Sequence, residues 1–241
     1  MKKKIVIFAP HPDDETLACG GTIAKKISEG YEVFVVFMTD ARYSLTAVGI
    51  TSGPLPHEVS IIRREEAVKA MKTLGLKEKN IFFLNFEDKT LKMRYRDALK
   101  KVIEILADIS PVEVYFPQRK EYHIDHRVTN LIVREALKRL NLHPIEFQYA
   151  IAWSFPYHLL VHVLNEQLFD SLMSNILKLD MIHVNISKFL HLKSKALNEY
   201  KTQMMAFSYN ERKNLIKRSF LKRFLKKEEK FFVNSSMLII S

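Results

Sequence analysis

Cysteine is all but missing: Cys19 stands alone in 241 residues, which excludes an intramolecular disulfide and every cysteine-built zinc site. Any metal here has to be held by imidazole and carboxylate. Nothing beside Cys19 would stabilise a thiolate, so it reads as a small buried packing residue. Glycine is scarce, and no Gly-x-Gly-x-x-Gly turn occurs, so a dinucleotide fingerprint is absent. Long apolar runs are lacking too. The run behind Met1-Lys2-Lys3-Lys4 breaks at Pro10-His11-Pro12, too soon for the apolar region of a signal peptide and far short of a membrane span. The expected location is cytoplasmic.

Acidic residues are in deficit. Lys and Arg number 38 against 27 Asp and Glu, a formal charge of +11, which admits nucleic acid, anionic lipid or an acidic substrate as partners without choosing among them. With 47% hydrophobic and 27% charged residues, the composition is that of a soluble globular protein long enough for its own core. We expect one domain over residues 1–241, with a core over 1–153 and a C-terminal elaboration over 154–241.

Short β-branched runs alternate with helical spacing along the first half of the chain. Strands are predicted at residues 4–8, 31–39, 81–84 and 112–117, and helices at 16–29, 61–75 and 91–107. Residues 42–58 hold Gly49, Gly53, Pro54 and Pro56 and read as a long loop. Four strand–helix alternations predict an α/β fold, a doubly wound, mainly parallel sheet with helices on both faces. Gly20-Gly21 weakens the first helix by about 1 kcal/mol per residue, and close approach of this turn to the sheet or site would explain it. Arg63 and Glu66, one turn apart, read as a surface ion contact, and Asp40 as a loop or cap residue.

Ala9-Pro10-His11-Pro12-Asp13-Asp14-Glu15-Thr16 follows the first strand, where open α/β sheets place ligands. Three adjacent carboxylates repel one another unless a cation compensates. Imidazole with carboxylate suits a zinc-like ion, while the plainer reading makes Asp13 or Asp14 a helix cap and Glu15 a partner of the helix dipole. Glu121-Tyr122-His123-Ile124-Asp125-His126-Arg127 repeats the composition after the fourth strand. His123 and His126 share one side of a helical turn, with Asp125 available to orient a ring nitrogen. Two such clusters on one sheet edge favour a shared metal site over two structural ones.

These residues carry a resemblance. Pro10-His11-Pro12-Asp13-Asp14-Glu15 with Gly20-Gly21-Thr22, paired with His123-Ile124-Asp125-His126, resembles the LmbE-like or PIG-L family of zinc-dependent de-N-acetylases over residues 4–140. The resemblance implies a Rossmann-like fold and removal of acetyl groups from N-acetylglucosamine-type sugars or glycoconjugates. Position by position it implies that His11, Asp14 and His126 bind Zn2+, or another divalent ion such as Fe2+. Asp13 would be the general base, His123 the oxyanion stabiliser or acid, and Asp125 its orienting neighbour. Arg63 and Asp88 are implied, more weakly, as substrate-binding. Departures occur at Thr39-Asp40-Ala41-Arg42 and Gln118-Arg119-Lys120-Glu121-Tyr122, and bear on substrate identity more than on the metal.

Beyond Pro144 the pattern thins. Residues 145–153 read as a further strand, Trp153-Ser154-Phe155-Pro156-Tyr157-His158 as core aromatics or a sugar-stacking loop, and residues 187–207 as a helix. His158, His162, His183 and His191 read as structural. Residues 210–230 read as a basic amphipathic helix that packs on the domain or binds an anionic membrane surface or a partner subunit, and 231–233 and 237–240 as a structured end. The expected activity is N-deacetylation of an amino-sugar by a homo-oligomer with no nucleic-acid partner. The alternatives are an amidase for a larger N-acyl sugar conjugate and a non-catalytic basic module for nucleic acid or membrane.

Overall fold

Alternate side chains of β1 (Lys4–Ala9) enter two different cores: Ile5, Ile7 and Ala9 pack to one side, Val6 and Phe8 to the other, and all are buried. β2 (Glu32–Thr39) repeats the division with Val33, Val35 and Phe37 against Phe34, Val36 and Met38. Strands buried on both faces need helices on both faces. In the computed structural model, which describes residues 2–46, 53–154, 157–204 and 218–234, α1 (Asp14–Ser28), α2 (Pro56–Thr73) and α7 (Leu190–Leu197) cover one face, and α3 (Tyr95–Ile109) and α4 (Ile124–Leu140) the other.

β3 (Ile81–Phe86), β4 (Glu113–Pro117), β5 (Ile145–Tyr149), β6 (Asp180–Asn185) and β7 (Glu228–Val233) complete a seven-stranded sheet of order β3-β2-β1-β4-β5-β7-β6. The first five are parallel; β7 runs antiparallel to β5 and β6. The expected α/β class therefore holds, with an antiparallel extension at one edge. Strand order reverses between β1 and β4, which opens a crevice at their carboxyl ends. The loops after these two strands carry the two His/Asp clusters.

α1 passes close to its neighbours, and its glycines allow this. A Cβ on Gly21 would lie 2.6 Å from Ile186 Cβ and would also collide with Ile186 Cδ1, while Glu229 accepts hydrogen bonds from the Gly21 and Thr22 N–H groups at 2.8 and 2.7 Å. Ile186 Cβ is not a flexible tip, so Gly21→Ala is expected to cost about 1–3 kcal/mol through overpacking. At this chain length that lowers Tm by about 3 °C per kcal/mol, measurable by thermal unfolding. Cys19, on the same helix, is fully buried.

Several expectations for element boundaries are corrected. Pro56 opens α2, so the loop after β2 ends earlier than residue 58; proline suits this position because its missing N–H would have no helical partner. Instead of one helix over 187–207, α7 stops at Leu197 and α8 (Lys201–Met204) follows. The basic stretch forms α9 (Arg218–Phe224) and then β7, not a helix to residue 230. There Glu229 is buried on Lys193 Nζ (2.7 Å) and on α1, contacts that override the helical spacing. β5 ends at Tyr149, and Trp153 packs edge-on to Phe169 of α6 (Glu166–Leu177) and Phe232, which is the core alternative for that one residue of the aromatic stretch. α5 (Tyr157–Val163) joins β5 to α6. Residues 47–52, 155–156, 205–217 and 235–241 lie outside the described residues, as do the side chains of His158 and His162. No helix among the described residues is long and apolar enough to cross a membrane.

Candidate active site

The chain leaves β1 through Pro10-His11-Pro12, and Asp13 takes φ = 115°, a left-handed conformation that side-chain-bearing residues avoid. Such a backbone costs roughly 1–3 kcal/mol and persists only when its surroundings over-determine it. Here the Asp13 N–H donates to Glu15 Oε2 (3.0 Å), Arg63 Nη2 lies 3.1 Å from Asp13 Oδ2, and Arg63 also donates to the Pro12 carbonyl. Asp14 opens α1, where the helix dipole favours a carboxylate. Its Oδ2 accepts from the His11 N–H (3.0 Å) and lies 3.3 Å from His11 Nδ1 and 3.1 Å from His126 Nε2.

On the β4 side, His123 caps α4, its Nδ1 accepting from the Asp125 N–H at 3.3 Å, and Asp125 and His126 fall in the first turn. His11 Nδ1 and His126 Nε2 are 3.2 Å apart. His11 Nδ1, Asp14 Oδ2 and His126 Nε2 therefore form a triangle with sides of 3.3, 3.1 and 3.2 Å. Donors about 2.0–2.1 Å from a tetrahedral ion lie roughly 3.4 Å apart, so the three atoms match three corners of such a site. The far nitrogen of His11 faces Asp88 Oδ1 at 3.2 Å and Asp125 Oδ2 at 3.5 Å, and His126 Nδ1 faces Glu121 Oε2 at 3.5 Å. Carboxylates behind ligating imidazoles fix the tautomer and ring orientation. Two overlapping groups of donors, His11 with His123 and His126, and His11 with Asp88, His123 and Asp125, also lie within 4.8 Å.

The charges are strongly coupled. Burial pushes the Asp13 carboxyl up to about 8, reinforced by the repulsion of Asp14 and Glu15 and opposed by Arg63. Burial acts on Asp14 in the same sense, but the charge of His126 and hydrogen bonds from both imidazoles outweigh it and hold Asp14 well below the carboxylate range. His126 is raised to about 9, because Asp14 and Glu121 overcome a burial effect of opposite sign. His123 falls to about 4, through burial first and then the positive His11 and His126. At neutral pH these directions favour protons on His11, on His126 and on the Asp13 carboxyl.

Each sequence-predicted site residue can be located against this geometry. His11, Asp13, Asp14, Asp88, Asp125 and His126 converge, with His123 half-exposed beside them, its ring 4.6 Å from that of His11. Asp125 lies closer to His11 (3.5 Å) than to His123 (3.9 Å). Arg63 and Glu66 are not a surface pair: Arg63 is 1% exposed and meets Asp13, Glu66 and Thr202. Asp88 is likewise buried against His11. Asp40 holds Arg42 and the Asp88 N–H. Sequence reasoning passed over Glu121, although it stands inside the second cluster. Its carboxylate is anchored by the Ile151 and Ala152 N–H groups, partners that no local spacing reveals.

Comparison with known proteins agrees with this architecture. Residues 6–137 match the family described as PIG-L, GlcNAc-PI de-N-acetylase. The chain is 32% identical over 139 residues to a diacetylchitobiose deacetylase of Thermococcus kodakarensis, covering 56% of this chain and 49% of that protein. It is 30% identical over 151 residues to a probable N-acetyl-alpha-D-glucosaminyl L-malate deacetylase 2 of Bacillus cereus, covering 58% and 63%. The matched region thus spans about half to under two thirds of these relatives. Among solved structures, the N,N'-diacetylchitobiose deacetylase of Pyrococcus horikoshii superposes with a TM-score of 0.69 at 23% identity, over 98% of this chain and 85% of that one. A 4-carboxy-2-hydroxymuconate hydratase of Pseudomonas putida reaches 0.66 at 19%, over 83% and 80%. At these identities the structures show a shared fold, and one fold hosts more than one chemistry.

Proposed function

From membership of the PIG-L, or GlcNAc-PI de-N-acetylase, family, to which this chain belongs, we propose that the protein is a metal-dependent hydrolase removing the acetyl group from an N-acetylglucosamine-type sugar. The observation that carries the reading is the triangle of His11 Nδ1, Asp14 Oδ2 and His126 Nε2 beside a carboxylate, Asp13, that is not part of it. The proposed ion is zinc, with Fe2+ as the alternative; when bound it supplies a Lewis acid that lowers the pKa of water toward about 7.

The positive charge of a bound ion would favour the ionised form of Asp13, opposing the burial that raises it; ionised, Asp13 accepts a proton from the water that attacks the acetamido carbonyl and then returns it to the departing amine. Net, water and the amide give acetic acid and the free amine, which exchange a proton to leave acetate and the ammonium form. His123 Nδ1 already accepts from the Asp125 N–H, so the neutral ring carries its proton on Nε2 and donates it as a hydrogen bond to the oxyanion that forms. Asp88 and Asp125 hold the His11 ring, and Glu121 holds His126. Arg63 and Asp88 face these groups from inside the protein, so their expected part in substrate binding reduces to shaping the site.

The test is amine release from N-acetylglucosamine and N,N'-diacetylchitobiose, with metal counted by elemental analysis. About one ion per chain is expected, and a chelator should abolish amine release until zinc is restored. Metal-loaded protein that releases no amine from any acetamido sugar would overturn the reading, and preference for a longer N-acyl group would replace it with the amidase.

A further inference from the structure

Two buried side chains from the C-terminal third, Tyr200 and Thr202, lie beyond the family-matched residues 6–137 and still reach the loop that holds Asp13. We propose that Tyr200 and Thr202 are positioning residues that fix Asp13 through two separate hydrogen-bonded arms. The proposal rests on the reading of Asp13 as the base.

The first arm holds the Asp13 carboxylate. Thr202 gives both of its donors to Glu66, the N–H to Oε1 at 2.8 Å and the hydroxyl to Oε2 at 2.6 Å. Glu66 Oε2 and Thr202 Oγ1 lie 3.8 and 3.5 Å from Arg63 Nη1. The guanidinium is thereby held with its other nitrogen, Nη2, on Asp13 Oδ2 and the Pro12 carbonyl. The second arm holds the Asp13 backbone. The Tyr200 hydroxyl donates to Glu15 Oε1, and Glu15 Oε2 accepts the Asp13 N–H. The Tyr200 ring also lies under the guanidinium, 5.4 Å from its carbon, and so touches both arms.

The strained φ of Asp13 is the reason such arms are needed. A residue in an unfavoured backbone conformation relaxes when its supports are removed, and a displacement of about 1 Å in a reacting group can cost a hundredfold in rate. Neither arm touches the donors of the metal triangle, so loosening either should change turnover and leave the ion in place. A support with a merely structural role would lower thermal stability without separating kcat from KM.

The experiment compares Thr202→Val, Thr202→Ser, Tyr200→Phe and Asp13→Asn as metal-loaded proteins, by steady-state amine release from N,N'-diacetylchitobiose, metal content and Tm. Thr202→Val and Tyr200→Phe are expected to lower kcat by about ten- to a hundredfold, the usual effect of removing a supporting hydrogen bond, with KM and metal content near wild type. Thr202→Ser, which keeps the hydroxyl, should recover most of the loss. Tyr200→Phe removes only one oxygen and decides the matter if Thr202→Val fails to fold. Folded variants with wild-type kcat beside an inactive Asp13→Asn would overturn the positioning role alone. An active Asp13→Asn would overturn the base on which it rests. Metal loss in step with kcat would also overturn it.

Discussion

Replacing Asp13 by Asn is expected to lower amine release by about a thousandfold, within the range attributed to general-base catalysis, while about one metal ion per chain stays bound. Asn is the informative substitution for three reasons. It keeps the side-chain shape, it retains an oxygen that can face Arg63 Nη2, and it tolerates positive φ better than most residues. The backbone N–H still meets Glu15. What disappears is the capacity to take a proton at that point. The metal should stay, because His11 Nδ1, Asp14 Oδ2 and His126 Nε2 are untouched. Loss of the ion in this variant, measured by elemental analysis after dialysis, would remove Asp13 from the role of base and place it among the ligands.

The opposite pattern is expected of His126→Ala. Removing one corner of the triangle should reduce bound metal from about one ion per chain to near none after dialysis, and amine release should fall to background. The same site makes metal uptake depend on pH with a definite sign. In the metal-free protein His126 is raised to about 9 and His11 is also raised, so both rings hold protons at neutral pH, and a metal must displace them because it binds only neutral imidazole. Zinc affinity should therefore strengthen as pH rises toward about 9 and weaken below neutrality, by about tenfold per unit for each proton displaced. Calorimetric titration of wild type with zinc at several pH values measures this, and affinity independent of pH would contradict it.

The parts of the site that follow from local chemistry were legible in the sequence. His11, Asp13 and Asp14 lie between a β-branched run and a helical period, and His123, Asp125 and His126 open another helix, so their common edge follows from strand–helix alternation. What escaped is carried by contacts between distant segments. The spacing of Arg63 and Glu66 speaks only of a helix surface, and their burial is set by Tyr200 and Thr202, more than a hundred positions later. Glu228, Glu229 and Lys230 look like the continuation of a basic helix, yet Glu229 is drawn into the sheet by Lys193 and the N–H groups of α1. The break between α7 and α8 has the same origin, since Tyr200 and Thr202 in and beside it serve Glu15 and Glu66. Periodicity reports on one element at a time; buried polar partners are a property of pairs of elements.

His11 and His126 stand 115 positions apart in the chain, and a single ion held by both is a crosslink as well as a reagent. It ties the exit of β1 to the start of α4 across the line where the strand order reverses, closing a long loop that the unfolded chain would leave open. An ion that binds the folded form alone stabilises it by mass action, by about 4 kcal/mol at a free concentration a thousand times its dissociation constant. A metal bound there would then add to the stability of the folded chain as well as serve the proposed reaction.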